Sequence, residues 1–150
     1  MKSWDETFMN IAELYAEHSS CAKYGVGAVL VKDKRILSTG YNGVVSGETH
    51  CNEIFKNIDF KQDKILSEKH HLWSLCNEIH AEVNCILYAA KNGISVDGCS
   101  IYCTTQPCVN CAKTIAAAGI KKVIYKTPYN REPEALEFLK KAGIEVVRVE

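Results

Sequence analysis

The 150-residue sequence lacks an excess of charge, a long apolar run and any obvious linker. Eighteen Lys and Arg balance eighteen Asp and Glu, so the formal net charge is zero. That balance argues against non-specific attachment to a phosphate backbone, and no nucleic-acid partner is expected. It leaves room for a local basic pocket that takes a small phosphorylated ligand. No stretch approaches the roughly 18 consecutive apolar residues that span a bilayer, so no membrane partner is expected either. The opening residues Met1-Lys2-Ser3-Trp4-Asp5-Glu6 have no apolar core of the kind a secretion signal requires. Internal repeats, low-complexity tracts and Pro/Gly/Ser-rich linkers are also missing, which predicts one domain over residues 1–150. With 47% hydrophobic and 24% charged residues, a chain of this length buries most of its apolar surface without staples. The expectation is a globular cytoplasmic domain.

Cysteine is the one abundance, with eight residues. Four disulfides would suit an oxidising compartment, but without a secretion signal the reducing cytoplasm is the better assumption. There, clustered cysteines signal metal binding or catalysis.

Periodicity supplies the framework. Apolar Phe8, Ile11, Ala12, Tyr15 and Ala16 recur at helical spacing between Asp5 and Ser20. Val26 to Val31 and Arg35 to Tyr41 are strands joined at Asp33-Lys34, which predicts a hairpin. Residues 42–78 are less periodic and hold His50, His70 and His71; a loop region that long is expected to be functional or pinned by something. Beyond it, helices are expected over Ile79–Asn92, from Pro107 at a first helical position to Ala118, and over Pro133–Ala142. Gly93, Gly119 and Gly143 stop them. Strands are expected over Cys99–Thr104, Lys121–Lys126 and Ile144–Val149. Such alternation implies parallel pairing with right-handed crossovers. The predicted fold is α/β, a five-stranded mixed sheet with helices on both faces.

Two motifs carry chemistry: His80-Ala81-Glu82 and Pro107-Cys108-Val109-Asn110-Cys111. Cys108 and Cys111 are one helical turn apart at a helix start, where exposed N–H groups favour thiolate. Helices that begin at the ends of neighbouring strands bring His80 beside them. One nitrogen and two sulfurs make a three-ligand zinc site with an open fourth position, the mark of catalytic zinc. Glu82, two residues past the histidine, then faces the open position and serves as general acid and base, because zinc lowers the pKa of bound water towards about 7. A Cys-x-x-Cys alone equally suits a redox pair or half a structural zinc site, and a lone His-Ala-Glu means little. In this order and context the two motifs form the His-x-Glu, Pro-Cys-x-x-Cys signature of zinc deaminases.

On those residues the chain resembles the deoxycytidylate (dCMP) deaminases, particularly the bacteriophage-type enzymes, of the zinc-dependent cytidine deaminase superfamily. Val26-Gly27-Ala28-Val29, Thr39-Gly40-Tyr41-Asn42-Gly43, His50-Cys51 and Asn77-Glu78-Ile79-His80-Ala81-Glu82 carry the likeness together with the Pro107–Lys113 segment. The resemblance implies a three-layer α/β/α cytidine deaminase-like fold and hydrolysis of dCMP to dUMP and ammonia, with Glu82 protonating N3 and then the departing amine. It places Asn42 near the sugar or phosphate and Tyr129 at a stacking or phosphate contact. For Asn42 the plain alternative is a left-handed turn residue before Gly43, and for Tyr129 a half-exposed aromatic beside Pro128. The phage-type members also imply a second, structural zinc on Cys21, Cys51, His70 and Glu78, with His71 and Cys76 as alternative ligands. Against that, His70 suits a surface histidine and Glu78 a carboxylate favoured by a helix dipole. Further implications are a homohexamer, activation by dCTP with Mg2+, inhibition by dTTP, and participation of Tyr41, Gly43, Tyr88 and Lys91 in that control. Tyr88 and Lys91 equally suit an amphipathic helix edge. Many relatives have a proline where this chain has Val45, which alters the stiffness of the Tyr41–Gly43 loop. Cys85, Cys99 and Cys103 are expected to be small buried hydrophobes.

Two rival functions are separable. Another zinc deaminase would act on tRNA adenosine or on free cytidine or deoxycytidine; zero net charge opposes the tRNA substrate. A catalytically silent zinc-binding nucleotide sensor would have no need of Glu82.

Overall fold

The computed structural model describes residues 1–150. It contains a five-stranded mixed sheet in the order β2-β1-β5-β6-β7 and a two-stranded ladder of β3 and β4. The strands are β1 (Gly27–Lys32), β2 (Arg35–Tyr41), β3 (Gly43–Val44), β4 (Glu78–Ile79), β5 (Ser100–Thr105), β6 (Lys122–Thr127) and β7 (Glu145–Arg148). The helices are α1 (Trp4–Ala16), α2 (Cys51–Ile54), α3 (Lys64–Asn77), α4 (Ala81–Lys91), α5 (Val109–Ala117) and α6 (Glu134–Lys141). β1 runs antiparallel to both β2 and β5. β5, β6 and β7 are parallel, as their helical crossovers require. No helix is long and apolar enough to cross a membrane.

The expected hairpin forms. Asp33 and Lys34 take positive φ of 51° and 60°, the twist that a two-residue turn needs to match its strands. Alternation along β1 then sends side chains to opposite faces. Val29 and Val31 join Phe8, Met9 and Ala12 of α1, with Tyr102 and Ile124, under one face. Ala28 and Leu30 join the other face, where Cys85 of α4, Ile115 of α5 and Leu139 of α6 close the larger core. A capping box starts α1: the Glu6 N–H donates to Ser3 Oγ at 3.1 Å and the Ser3 N–H to Glu6 Oε2 at 3.2 Å. Cys85, Cys99 and Cys103 are fully buried in the larger core. Burial pushes all three thiols up, Cys85 to about 12, so they behave as packing groups.

Gly40 fixes the seat of α4. A Cβ there would come within 2.6 Å of the Ala81 carbonyl oxygen and 2.7 Å of the Cys85 nitrogen. Only a glycine lets β2 lie directly under the first turn of α4, and that turn carries the chemistry.

The structure corrects the sequence reading in three places. Residues 42–78, expected to be irregular, contain β3, α2 and the 14-residue α3. α3 starts at an N-cap, with Asp63 Oδ1 accepting from the Leu66 N–H at 2.9 Å. The helix at Ile79 begins later, at Ala81, because Ile79 pairs with Gly43 in the β3–β4 ladder. Glu78 accordingly ends α3 and opens β4, which removes the reading of a carboxylate at a helix N-terminus. Pro107 precedes α5 rather than opening it, since Cys108 is the N-cap.

Candidate active site and metal centres

α4 and α5 both begin at the C-terminal edge of the sheet, and their N-caps are His80 and Cys108. His80 Nδ1 lies 3.3 Å from Cys111 Sγ and 3.5 Å from Cys108 Sγ. All three donor atoms are within 4.8 Å of one another. The Cys111 N–H points at Cys108 Sγ at 3.5 Å, so a sulfur occupies the place of the usual capping oxygen. Asn84 braces the turn, donating from Nδ2 to the Tyr41 carbonyl at 2.9 Å and the Ile79 carbonyl at 3.3 Å.

The three groups are electrostatically coupled through their mutual hydrogen bonds. The Cys111 thiol, then His80, stabilise Cys108 as thiolate and hold it down to about 4. Donating its ring N–H to that thiolate raises His80 to about 9, and Cys111 is pushed far up as the donor to Cys108. Three convergent donors of the types zinc prefers, with no fourth from the chain, fit a site that keeps one position open. Glu82 is 4% exposed on the first turn of α4. Burial raises its carboxyl, partly opposed by the His80 charge. A carboxyl held towards neutrality beside these donors suits repeated proton transfer.

Sequence reasoning missed two residues that hold this edge in place. Gln106 is buried; its Nε2 donates to the Glu132 carbonyl at 3.0 Å and its Oε1 accepts from the Tyr129 N–H at 3.2 Å. Glu132 Oε1 in turn accepts from the Val109 N–H at the start of α5, at 3.3 Å. The two fasten the 128–132 loop to the cysteine turn. A single Gln before Pro107 gives no sequence signal of that task.

Tyr129 is half-buried in this loop, within electrostatic reach of Cys108 and Tyr24. Asn42 is buried, its Oδ1 accepting from the Val26 N–H at 2.8 Å and its Nδ2 donating to the Tyr24 carbonyl at 2.9 Å. Its φ is not positive, so it is no left-handed turn residue. The amide is a strut between the Tyr41–Gly43 loop and the chain entering β1. Tyr41 is partly exposed and Gly43 buried, while Tyr88 and Lys91 stand exposed on α4.

A second cluster gathers Cys21, Cys51, His70 and Glu78, their donor atoms also within 4.8 Å of one another. His70 Nε2 is 3.2 Å from Cys51 Sγ, 3.5 Å from Cys21 Sγ and 3.8 Å from Glu78 Oε1. Burial pushes the Cys21 thiol up to about 12 and lowers His70. The telling atoms are the Glu78 carboxylate oxygens, both buried with no hydrogen-bond partner. A buried carboxylate without donors is costly by several kcal/mol or more, and a divalent cation among these four groups removes that cost. The donor set therefore fits a closed metal site. Cys76 is exposed and His71 half-buried, and neither belongs to the cluster. The β3–β4 ladder links the two centres, since Glu78 and His80 are separated by Ile79 alone.

Fold and donor geometry together define a metal-dependent hydrolase of the nucleobase-deaminase type. A family model described as the cytidine and deoxycytidylate deaminase zinc-binding region matches residues 2–127, and the chain belongs to that family. The deoxycytidylate deaminase of Enterobacteria phage T4 is 38% identical over 170 aligned residues, covering 95% of this chain and 88% of that protein. The human deoxycytidylate deaminase is 37% identical, covering 88% of this chain and 70% of its own length. Among solved structures, dCMP deaminase from cyanophage S-TIM5, crystallised with dCMP and dUMP, superimposes with a TM-score of 0.79 at 34% identity and covers 99% of both chains.

Proposed function

We propose that this chain hydrolyses the exocyclic amine of dCMP, releasing ammonia and dUMP and so supplying dUMP for thymidylate synthesis. The observation that carries the reading is the meeting of His80, Cys108 and Cys111 beside the buried Glu82, in a chain of this family.

His80 Nδ1 and the sulfurs of Cys108 and Cys111 hold zinc, which when bound acts as a Lewis acid that makes water nucleophilic near neutral pH. Glu82 takes a proton from the attacking water and delivers it to N3 of the cytosine ring. A second transfer through the same carboxylate protonates the amine on C4, which leaves as ammonia. Burial raises the Glu82 carboxyl, which favours its holding the proton between the two transfers. Gln106 and Glu132 keep the cysteine turn and Tyr129 in register. Asn42 retains one N–H and one lone pair beyond its two main-chain bonds, available to the sugar or phosphate, and Tyr129 offers its ring or hydroxyl to the nucleotide.

Cys21, Cys51, His70 and Glu78 hold a second, structural zinc, a reading supported by the orphaned carboxylate of Glu78. The chain acts as one domain in the cytoplasm and assembles as a homohexamer. Its control is by dCTP with Mg2+ as activator and dTTP as inhibitor, through Tyr41, Gly43, Tyr88 and Lys91.

Ammonia release from dCMP compared with deoxycytidine tests the function. A preference of at least ~100-fold in kcat/KM for the monophosphate is expected, about 2.7 kcal/mol. Equal rates would reject a nucleotide substrate.

A further inference from the structure

A cavity of about 1270 Å³ opens beside the second metal cluster rather than at the catalytic one. Its walls come from the segment after α1, the connection between α2 and α3, and the first turn of α3. Four lysines line it, Lys23, Lys56, Lys61 and Lys64, against a single acidic group, Asp59. In a chain of zero net charge, that is a marked local excess of positive charge. Tyr24, Phe55 and Phe60 supply aromatic surface. Lys23 Nζ lies 5.4 Å from the Tyr24 ring centroid and 5.7 Å from that of Phe60, and it donates to Ser67 Oγ at 2.7 Å. Arg131 is paired with Glu68 at 3.6 Å. Phe55 and Phe60 also flank His70, each with ring centroid 5.1 Å away, so these two rings separate the cavity from the second donor cluster.

We infer that this lysine-lined cavity binds a phosphate group of a nucleotide. Four lysines lining one concave surface together with aromatic rings match a phosphate ester joined to a planar base. The phosphate has two sources: the substrate's own 5′-phosphate, or a second phosphorylated ligand. The first rests on the deaminase reading; the second does not.

Exposed Lys56, Lys61 and Lys64 can be exchanged together without touching either donor cluster. The triple variant Lys56→Gln, Lys61→Gln, Lys64→Gln is compared with the wild-type, metal-loaded protein by calorimetric titration with dUMP, deoxyuridine and inorganic pyrophosphate at low salt. The inference expects dUMP or pyrophosphate to bind at least ~30-fold more weakly, about 2 kcal/mol, with deoxyuridine unaffected. A matching fall in kcat/KM for dCMP, relative to deoxycytidine, identifies the substrate's phosphate as occupant. Loss of pyrophosphate binding with dCMP turnover intact identifies a second ligand. Loss of pyrophosphate binding in a protein whose wild type does not deaminate dCMP would sink the deaminase reading and leave the subsite standing. Unchanged affinities for both dUMP and pyrophosphate would overturn the inference.

Discussion

Replacing Gly40 with alanine probes how tightly the fold controls the catalytic edge. The new methyl would stand 2.6 Å from the Ala81 carbonyl oxygen, 2.7 Å from the Cys85 nitrogen and 3.1 Å from the Cys85 Cα. All three are main-chain atoms of α4 or its first turn, so no side chain can swing aside. Restoring ordinary contact near ~3.4 Å requires α4 to move off β2 by somewhat under ~1 Å, and overpacking of this kind costs ~1–3 kcal/mol. In a chain of this size that corresponds to a fall of roughly 2–12 °C in Tm. His80 caps α4 and Glu82 lies in its first turn, so the same displacement reaches the reacting groups, where ~1 Å of misplacement costs ~100-fold. Thermal unfolding, zinc content and kcat on dCMP should therefore show a folded, metal-bearing protein with a modest Tm loss and a kcat reduced by one to two orders of magnitude. A variant with wild-type Tm and kcat would show that α4 is not held by this contact.

Glu82→Gln should keep its zinc by mass spectrometry while ammonia release falls ~100- to 10,000-fold; undiminished turnover would remove Glu82 from the proton path. Glu78→Gln should reduce zinc content from two ions per chain to one, and lower the Tm of the metal-loaded protein. After exhaustive chelation the Tm difference between this variant and the wild type should shrink, because it arises from the bound ion; a difference that persists undiminished without metal would contradict that account. Burial and the Asp5 charge raise the Tyr102 phenol well above its ordinary value, and its hydroxyl donates to Asp5 Oδ1 at 2.6 Å. The stability this gives is complete below about pH 10 and is lost as the pH rises towards the folded-state value. Denaturant titrations should accordingly show a shallower alkaline decline for Tyr102→Phe, and parallel declines would refute the assignment.

The features legible in the sequence were those with a strict local rule. Asp33-Lys34 between two β-branched runs specifies a hairpin, and the strand–helix alternation after Gly93 specifies parallel pairing. His80-Ala81-Glu82 and Cys108-Val109-Asn110-Cys111 are short enough that one helical turn orders each of them. α3 was not legible because its pattern misleads. Ile65, Leu72 and Leu75 are exposed, and the one buried residue is a histidine. This helix is held through His70, against Cys51, Glu78, Phe55 and Phe60, and through Trp73 against Phe55, rather than by a continuous apolar stripe, so hydrophobic periodicity carries no record of it. The two-residue ladder β3–β4 is too short for any periodic signal, and it moved the start of α4 from Ile79 to Ala81. The lysine cavity escaped for a different reason: Lys23 and Lys64 are forty-one positions apart, and only the fold sets them around one space. Grouping Cys21, Cys51, His70 and Glu78 depended on resemblance, since nothing in their spacing joins them.

The account rests on one ion held by an imidazole and two sulfurs. Anomalous diffraction at the zinc absorption edge, on crystals of the active protein, tests this directly. A peak about 2.0–2.3 Å from His80 Nδ1, Cys108 Sγ and Cys111 Sγ, with Glu82 facing its free side, is the predicted result. A map with no anomalous signal there, or with Cys108 and Cys111 joined as a disulfide in protein that still turns over dCMP, would contradict it.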